Sequence, residues 1–479
     1  MKNLIQNPFL LPVLIVSVNL MLAGRVTAQT FTTLHSFTAL DQTYFTNGDG
    51  RLPSCTLVLS GNTLYGTASY GGSSGNGTVF AVKTNGTGFT NLHSFTNADG
   101  TDPSGRLILS GNTLYGTAET GGSFGSGTVF AVKTNGTGFT TLYTFTAFDP
   151  DTSTNSDGFW PLGGLVLSGN TLYGTTYGGG SSGGGTVFKI NTSGTGFTNL
   201  HSFTGSDGAV PVELILSGNT LYGTAEQGGS SGAGTVFAIH TDGTGFTNLH
   251  SFTALSVPYT GTNSDGATPK GVTLSGNTLY GAADLGGSSG NGTLFALNTD
   301  GTGFTNLHNF NGSSDGVNPA AGLILSGSTL YGEAFNGGTY GNGTVFAVNT
   351  DGTGFANLHS FTSGSAGAHP IGGLILSGNT LFGTASGGYN SGGDFLGNGT
   401  VFSITLPQPP QLRIIRSAGN VILSWPTNAA GLTFTLQSTT NLVSPAGWTT
   451  VSPASVVFNG QNAVTNPISG TQQFYRLSQ

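Results

Sequence analysis

From residue 31 onward the chain alternates short apolar runs with polar, glycine-rich links. Residues 106–109, 113–118, 127–133 and 138–146 form one such set. Each run is rich in Val, Ile, Leu, Phe, Tyr and Thr, is short enough for a strand, and is bounded by Gly, Asn, Ser or Asp. The first link is Ser-Gly-Asn and the last Thr-Asn-Gly-Thr; tight Gly-Asn and Asn-Gly connections supply the positive φ angles of type I′ and II′ hairpin turns. The middle link, Gly-Gly-Ser-Phe-Gly-Ser, also reads as a hairpin. Four strands joined by three hairpins make one antiparallel meander.

The set recurs. A string Leu-Ser-Gly-[Asn/Ser]-Thr-Leu-[Tyr/Phe]-Gly has its serine at 60, 110, 168, 217, 275, 326 and 377, at spacings of 50, 58, 49, 58, 51 and 51. An outer-strand string begins at Phe31, Phe89, Phe139, Phe197, Phe246, Phe304 and Phe355, and Gly-Thr-[Val/Leu]-Phe begins at Gly77, Gly127, Gly185, Gly234, Gly292, Gly343 and Gly399. A period near 50 with four antiparallel strands is the pattern of a β-propeller; the rival, a β-solenoid, needs parallel stacking and atypical capping repeats. The two ends decide between them. The repeat region opens on an unaccompanied fourth strand, 31–38, and closes on a third strand, 399–405, that lacks a fourth. Together they complete one unit, which predicts a seven-bladed β-propeller over residues 29–406, closed by the N-terminal strand, with no open sheet edge.

These residues also carry a family resemblance. The run LYGTTYGGGSSGGGTVFKI (172–190) and the recurring LILSGNTLYGTA resemble the Gloeo/Verruco (GloVer) tandem repeat of exported bacterial proteins, in seven registers between Phe31 and Thr405. The resemblance implies a secreted or surface protein with an interchangeable C-terminal attachment module, and it brings no established catalytic residues. Phe382, Glu333 and Ala366 depart from the repeat's Tyr, Thr and Asp. Paired glycines such as Gly71-Gly72 are similar in form to kelch repeats, but three Trp cannot supply one per blade.

After Leu406 the pattern changes. Pro407-Gln408-Pro409-Pro410 reads as a stiff linker (407–410), and 411–479 as a small immunoglobulin- or fibronectin-like β-sandwich with strands at 412–416, 421–425, 434–437, 448–451 and 473–477 and Trp425 in its core. At the other end, Lys2, the apolar stretch 9–24 and Val26-Thr27-Ala28 read as a signal peptide (1–28) cleaved after Ala28; Asn19 and the polar sequence that follows weaken the alternative of a membrane anchor. The chain is therefore expected to be extracytoplasmic, with no transmembrane segment after cleavage.

Glycine accounts for 83 of 479 residues, which means turns, while 6 % charged residues and eleven scattered Lys and Arg exclude the basic face that a nucleic-acid binder needs. Without Lys2 and Arg25, net charge falls from −8 to about −10. The single cysteine, Cys55, rules out an intrachain disulfide.

Three columns carry candidate chemistry. His35, His93, His201, His250, His308 and His359, with Tyr143 in the third place of the series, lie on outer strands that diverge, and they read as structural residues bonding to backbone. Asp49, Asp99, Asp157, Asp207, Asp265 and Asp315 each precede a glycine before the inner strand. They read as Asx-turns, with calcium, the one cofactor entertained, as the alternative, because each loop lacks the distal acid of a calcium shell. The end of the second strand is not uniform: Ser69, Glu119, Tyr177, Glu226, Asp284, Phe335 and Ser386. There Glu119, Tyr177, Glu226 and Asp284 are the candidate ligand-binding residues, on a rim free to vary. The expectation is a monomeric, noncatalytic scaffold that presents this loop face to a polysaccharide or a cell-surface protein. The alternatives are a carbohydrate-active hydrolase or lyase that uses the acids, and a structural surface component.

Overall fold

The computed structural model describes residues 29–41, 43–389, 395–407, 412–417, 420–426, 435–440, 448–452, 455–458, 461–467 and 473–478. The expected signal peptide and most of the expected linker lie outside the described residues. Residues Gln29–Leu406 make one compact, all-β, propeller-like unit, and the residues from Pro407 onward belong to another.

Six of the sheets of the larger unit run in chain order among the described residues. The first has Val58–Ser60 innermost, then Thr63–Ala68, Thr78–Lys83 and Thr90–Ser94. Among the described residues seven sheets follow this inner-to-outer plan, one of them with its inner strand in two pieces, Val317–Pro319 and Ile324–Ser326. The last sheet is assembled from both ends of the unit: Thr30–Ser36 pairs antiparallel with Thr400–Thr405, from Thr30 opposite Thr405 to Ser36 opposite Thr400, with a one-residue register shift between Thr33 and His35. The two incomplete repeats thus complete each other.

The repeated residues explain why the sheets stack. Gly66 lies opposite Phe80 on the neighbouring strand, and a β-carbon at Gly66 would lie 2.6 Å from the Phe80 ring, so this position needs glycine for the ring to lie across the strand. The cores sit between consecutive sheets. Tyr65, Val79 and Ala81 of one sheet bury against Leu107, Leu114, Phe130 and Val132 of the next. Phe382 and Val401 close the same arrangement against Leu57, Leu64 and Phe80.

An outer ring of stacked aromatics links the sheets. His35 lies on Phe89, His93 on Phe139, Tyr143 on Phe197, His201 on Phe246, His250 on Phe304, His308 on Phe355 and His359 on Phe31. Centroid distances are 3.6–4.0 Å and the planes are within 10° of parallel. The seventh contact returns to the N-terminal strand, so the series closes on itself.

The described part of the C-terminal unit has two antiparallel sheets. One orders Arg413–Ser417, Asn420–Pro426, Gln461–Pro467 and Val456–Phe458; the other orders Thr449–Thr450, Thr435–Thr439 and Phe474–Ser478. Leu423, Trp425 and Val464 of the first share a core with Leu436 and Tyr475 of the second, and Trp425 is 1 % exposed. Val456–Phe458 and Gln461–Pro467 were not anticipated, because the first exposes Val456 and Val457 and the second is mostly polar.

Candidate functional site at the loop end of the sheets

The link into each inner strand and the link between second and third strands emerge at the same end, as the bridges Arg51–Tyr70, Thr101–Thr120 and Phe159–Gly178 require. At this end the sheets stop being alike.

The His and Asp columns, first of all, belong together. His35 Nε2 lies 3.0 Å from Asp49 Oδ2, and His93–Asp99, His201–Asp207, His250–Asp265 and His308–Asp315 repeat the pair at 3.0–3.1 Å. Tyr143 donates its hydroxyl to Asp157 at 2.8 Å, so tyrosine substitutes for histidine without losing the bond. This corrects the expectation that the histidines bond to backbone: a carboxylate faces the rings of His35, His93, His201, His250 and His308, and it is the stronger acceptor, while His359 has none among the described residues. The remaining carboxylate capacity is taken by the start of the link. Thr38 donates its backbone N–H to Asp49 at 3.0 Å and its hydroxyl to the other oxygen, and Thr96 and Thr204 donate N–H to Asp99 and Asp207 at 2.7 and 2.8 Å. Although burial opposes it, His35 and Thr38 hold the Asp49 carboxyl below its ordinary range, and His250 and Thr253 do the same for Asp265. These carboxylates are surrounded by hydrogen-bond donors, a set that does not fit calcium, and among the described residues no group of three or more His, Cys, Asp or Glu converges on a common point.

The residue just before the proline of each inner strand has left-handed backbone geometry, and none of them is glycine. Leu52, Asp102, Trp160, Val210, Thr268, Asn318 and His369 all have φ between 54° and 59°. A β-carbon makes this conformation costly by roughly 1 kcal/mol or more, and glycine would remove the cost. The backbone itself has a reason for the geometry. Each of the seven N–H groups donates to a carbonyl on the preceding sheet, for example Trp160 to Ser126 at 2.9 Å and Asp102 to Asn76 at 3.1 Å. That bond fixes the conformation but makes no demand on the side chain. Seven different side chains at a position where glycine is cheapest mark it as a place where side chains are retained for contacts of their own.

This second variable column faces the first. Glu119 donates its N–H to the Asp102 carbonyl at 3.1 Å, Tyr177 to Trp160 at 2.9 Å and Ser386 to His369 at 3.1 Å. Side chains meet as well. Phe335 stacks on His369 at 4.5 Å, and Tyr177 lies 5.8 Å from Trp160. Burial, and then the charge of Asp102, push Glu119 up to about 7; burial raises Asp102, against hydrogen bonds from Ser69 and Tyr70. Across the ring, Lys270 sits 2.8 Å from Glu226 and 3.5 Å from Asp284. Burial would lower the Lys270 ammonium, but the two acids hold it above its ordinary range. Asn318 donates to the Asp284 carbonyl at 3.1 Å and accepts from Asn336 at 3.1 Å.

Of the four residues proposed from sequence, Glu119 and Tyr177 lie on one arc of the face, and Glu226 and Asp284 lie on another, around Lys270. The expectation of a freely variable rim fails at this second arc, because two of its acids neutralise a half-buried cation. The surrounding loops expose Tyr44, Phe45, Tyr70, Phe124, Tyr259 and Tyr340, with Tyr44 and Tyr259 each 75 % exposed.

The sequence matches the Gloeobacter/Verrucomicrobia repeat over residues 23–156, 147–267 and 253–421. The chain belongs to that family. No protein of curated function matches it. Solved structures similar to this Gloeobacter/Verrucomicrobia repeat protein include an oligogalacturonate lyase in complex with manganese, with TM-score 0.47 and 12 % identity over 81 % of this chain and 99 % of that one. A putative 6-phosphogluconolactonase from Bacteroides uniformis has TM-score 0.44 and 18 % identity over 87 % and 98 %. Puromycin hydrolase has TM-score 0.48 and 12 % identity over 84 % and 63 %. At these values no substrate, metal or catalytic residue carries over to the repeat protein. Among its described residues no helix is long and apolar enough to cross a membrane.

Proposed function

We propose that this repeat protein is an exported, noncatalytic seven-bladed propeller, followed by an immunoglobulin- or fibronectin-like sandwich, that holds a polysaccharide or a cell-surface protein at the loop end of its sheets. One observation carries the reading: residues that build the sheets recur with little change, while the two facing columns at that end differ from sheet to sheet, one of them at backbone positions where a side chain is costly. The leader-like first 28 residues and the family's resemblance to exported proteins support export. A second reading, a carbohydrate-active hydrolase or lyase, draws on one pair. Glu119, pushed up to about 7 beside Asp102, retains a proton near neutral pH, as a general acid needs. A glycan array run beside a hydrolase and lyase activity panel tests both. Binding without turnover supports the scaffold, and turnover abolished by Glu119→Gln supports the enzyme.

A further inference from the structure

We propose that the arc of the face through Tyr70, Asp102, Glu119, Trp160 and Tyr177 is a subsite for an uncharged sugar unit of a polysaccharide. This rests on the reading of the loop end as a ligand-binding face and adds the class of ligand.

The platform comes first. Trp160 and Tyr177 are half-buried, with ring centroids 5.8 Å apart and planes tilted by 48°. Trp160 is supported from behind: Phe159 meets it edge-on at 5.1 Å, and Phe159 is itself stacked at 4.1 Å on Phe148, from the insertion that lengthens this link. A rigid, half-exposed indole offers large contact area at little entropic cost, and its flat apolar surface suits the C–H face of a pyranose ring.

Next to it stand the acceptors. Trp160 and Glu119 come from adjacent sheets, and a β-carbon at Gly127 would lie 2.4 Å from the Glu119 carbonyl oxygen and 2.5 Å from Cδ of Pro161, the residue after Trp160. Trp160 and the Glu119–Asp102 pair are therefore neighbours across one sheet boundary. Tyr70, from the preceding sheet, is close enough for the Asp102 charge to raise its hydroxyl, and Tyr70 is 44 % exposed. Carboxylates beside an aromatic plane accept hydrogen bonds from ring hydroxyls, and a charged acceptor makes the stronger bond.

Charge selects among sugars. The chain carries about −10 after leader removal. On this face Lys270 is already held by Glu226 and Asp284. A uronate or sulfated unit on the arc would meet two acids that already penalise each other's charge, whereas an uncharged hexose or pentose unit would supply only hydroxyl donors.

The test is affinity electrophoresis of the full chain at pH 7 in gels containing dextran, galactomannan, xyloglucan or polygalacturonate. We expect retardation by at least one of the three neutral polysaccharides and none by polygalacturonate. Trp160→Ala and Tyr177→Ala, each with the wild-type melting profile, should cut the retardation at least fivefold; Tyr177→Ala leaves the left-handed position untouched, and so reports even if Trp160→Ala unfolds. Retardation by polygalacturonate alone, or by no polysaccharide, overturns the subsite. Neutral-polysaccharide binding undiminished in both variants also overturns it, but leaves the wider reading of a binding face standing.

Discussion

His359 lies flat on Phe31, with ring centroids 3.9 Å apart and planes 4° from parallel, yet among the described residues its Nε2 has no hydrogen-bond partner. The stack joins the outer strand Ala356–Ser360 to Thr30–Ser36, so it marks the seam where the ring of sheets closes. In the preceding sheet His308 has the same stack and, in addition, Asp315 at 3.0 Å. The seam lacks that carboxylate because Ala366 stands where the other links have Asp. Burial without a partner pushes the His359 imidazole down to about 4.

Ala366→Asp should therefore stabilise the closing seam. His359 is neutral in the folded protein down to about pH 4, while an unfolded imidazole binds its proton near 6.5, so the wild type loses stability as pH falls from about 6.5 to about 4. The new carboxylate would pair with the ring, raising Tm by a degree or two at pH 7, consistent with roughly 1 kcal/mol, and flattening the acid loss. Calorimetry at pH 7 and pH 5 measures both effects. An unchanged or lower Tm would mean that residue 366 does not present its side chain to His359.

Glu333 gives the opposite pH dependence. It replaces the repeat's Thr, is 1 % exposed, and accepts one bond, from the Gly373 N–H at 2.9 Å; burial pushes it up to about 8. The folded state therefore holds a proton that the unfolded state releases near 4.5, and the wild type loses stability as pH rises from about 4.5 to about 8. Glu333→Thr should remove that slope, with a gain of a few kcal/mol at pH 8.5 and much less at pH 5, because each tenfold difference in proton affinity between the two states is worth about 1.4 kcal/mol. Chemical denaturation at the two pH values decides it, and equal gains at both would contradict the assignment of a neutral buried acid.

Much of this architecture is legible in the amino-acid order. Strings recurring every 49–58 residues mark the strands, and two incomplete ends predict the pairing of Thr30–Ser36 with Thr400–Thr405. The His–Asp pairs are not, because the partners are separated by 6 residues at His93 and 14 at His35, and the link between them changes length from sheet to sheet. The remaining signal is that the link after His359 lacks an Asp, and among the described residues its Nε2 ends without a hydrogen-bond partner. The left-handed column is hidden for a different reason. A residue before proline is ordinarily expected to be extended, and only the neighbouring sheet's carbonyl, at 2.9 Å from the Trp160 N–H, overrides that preference.

Lys270 holds the second arc of the face together. Removing Glu226 and Asp284 together leaves a half-buried ammonium without its acids, so Glu226→Ala/Asp284→Ala should destabilise the protein by about 2–4 kcal/mol. Adding Lys270→Met should recover most of that loss. Glu119→Ala, which breaks no ion pair among the described residues, should fall within about 1 kcal/mol of wild type. Urea denaturation of the three variants measures this, and a double variant as stable as wild type would show that the Lys270 cluster carries no structural weight.

If the side chains at the left-handed positions are kept for a ligand and not for the fold, a substitution that relieves their strain should separate stability from binding. Trp160→Gly/Asp102→Gly removes two β-carbons from positions with φ of 56° and 59° and leaves the backbone bonds to Ser126 and Asn76 in place. The melting temperature and the neutral-polysaccharide retardation of this variant should be recorded on the same preparation. We expect a Tm equal to or above wild type, because glycine removes about 1 kcal/mol of strain at each site, together with lost retardation. A Tm several degrees lower, or full retardation at an unchanged Tm, would contradict a ligand-binding role for these side chains.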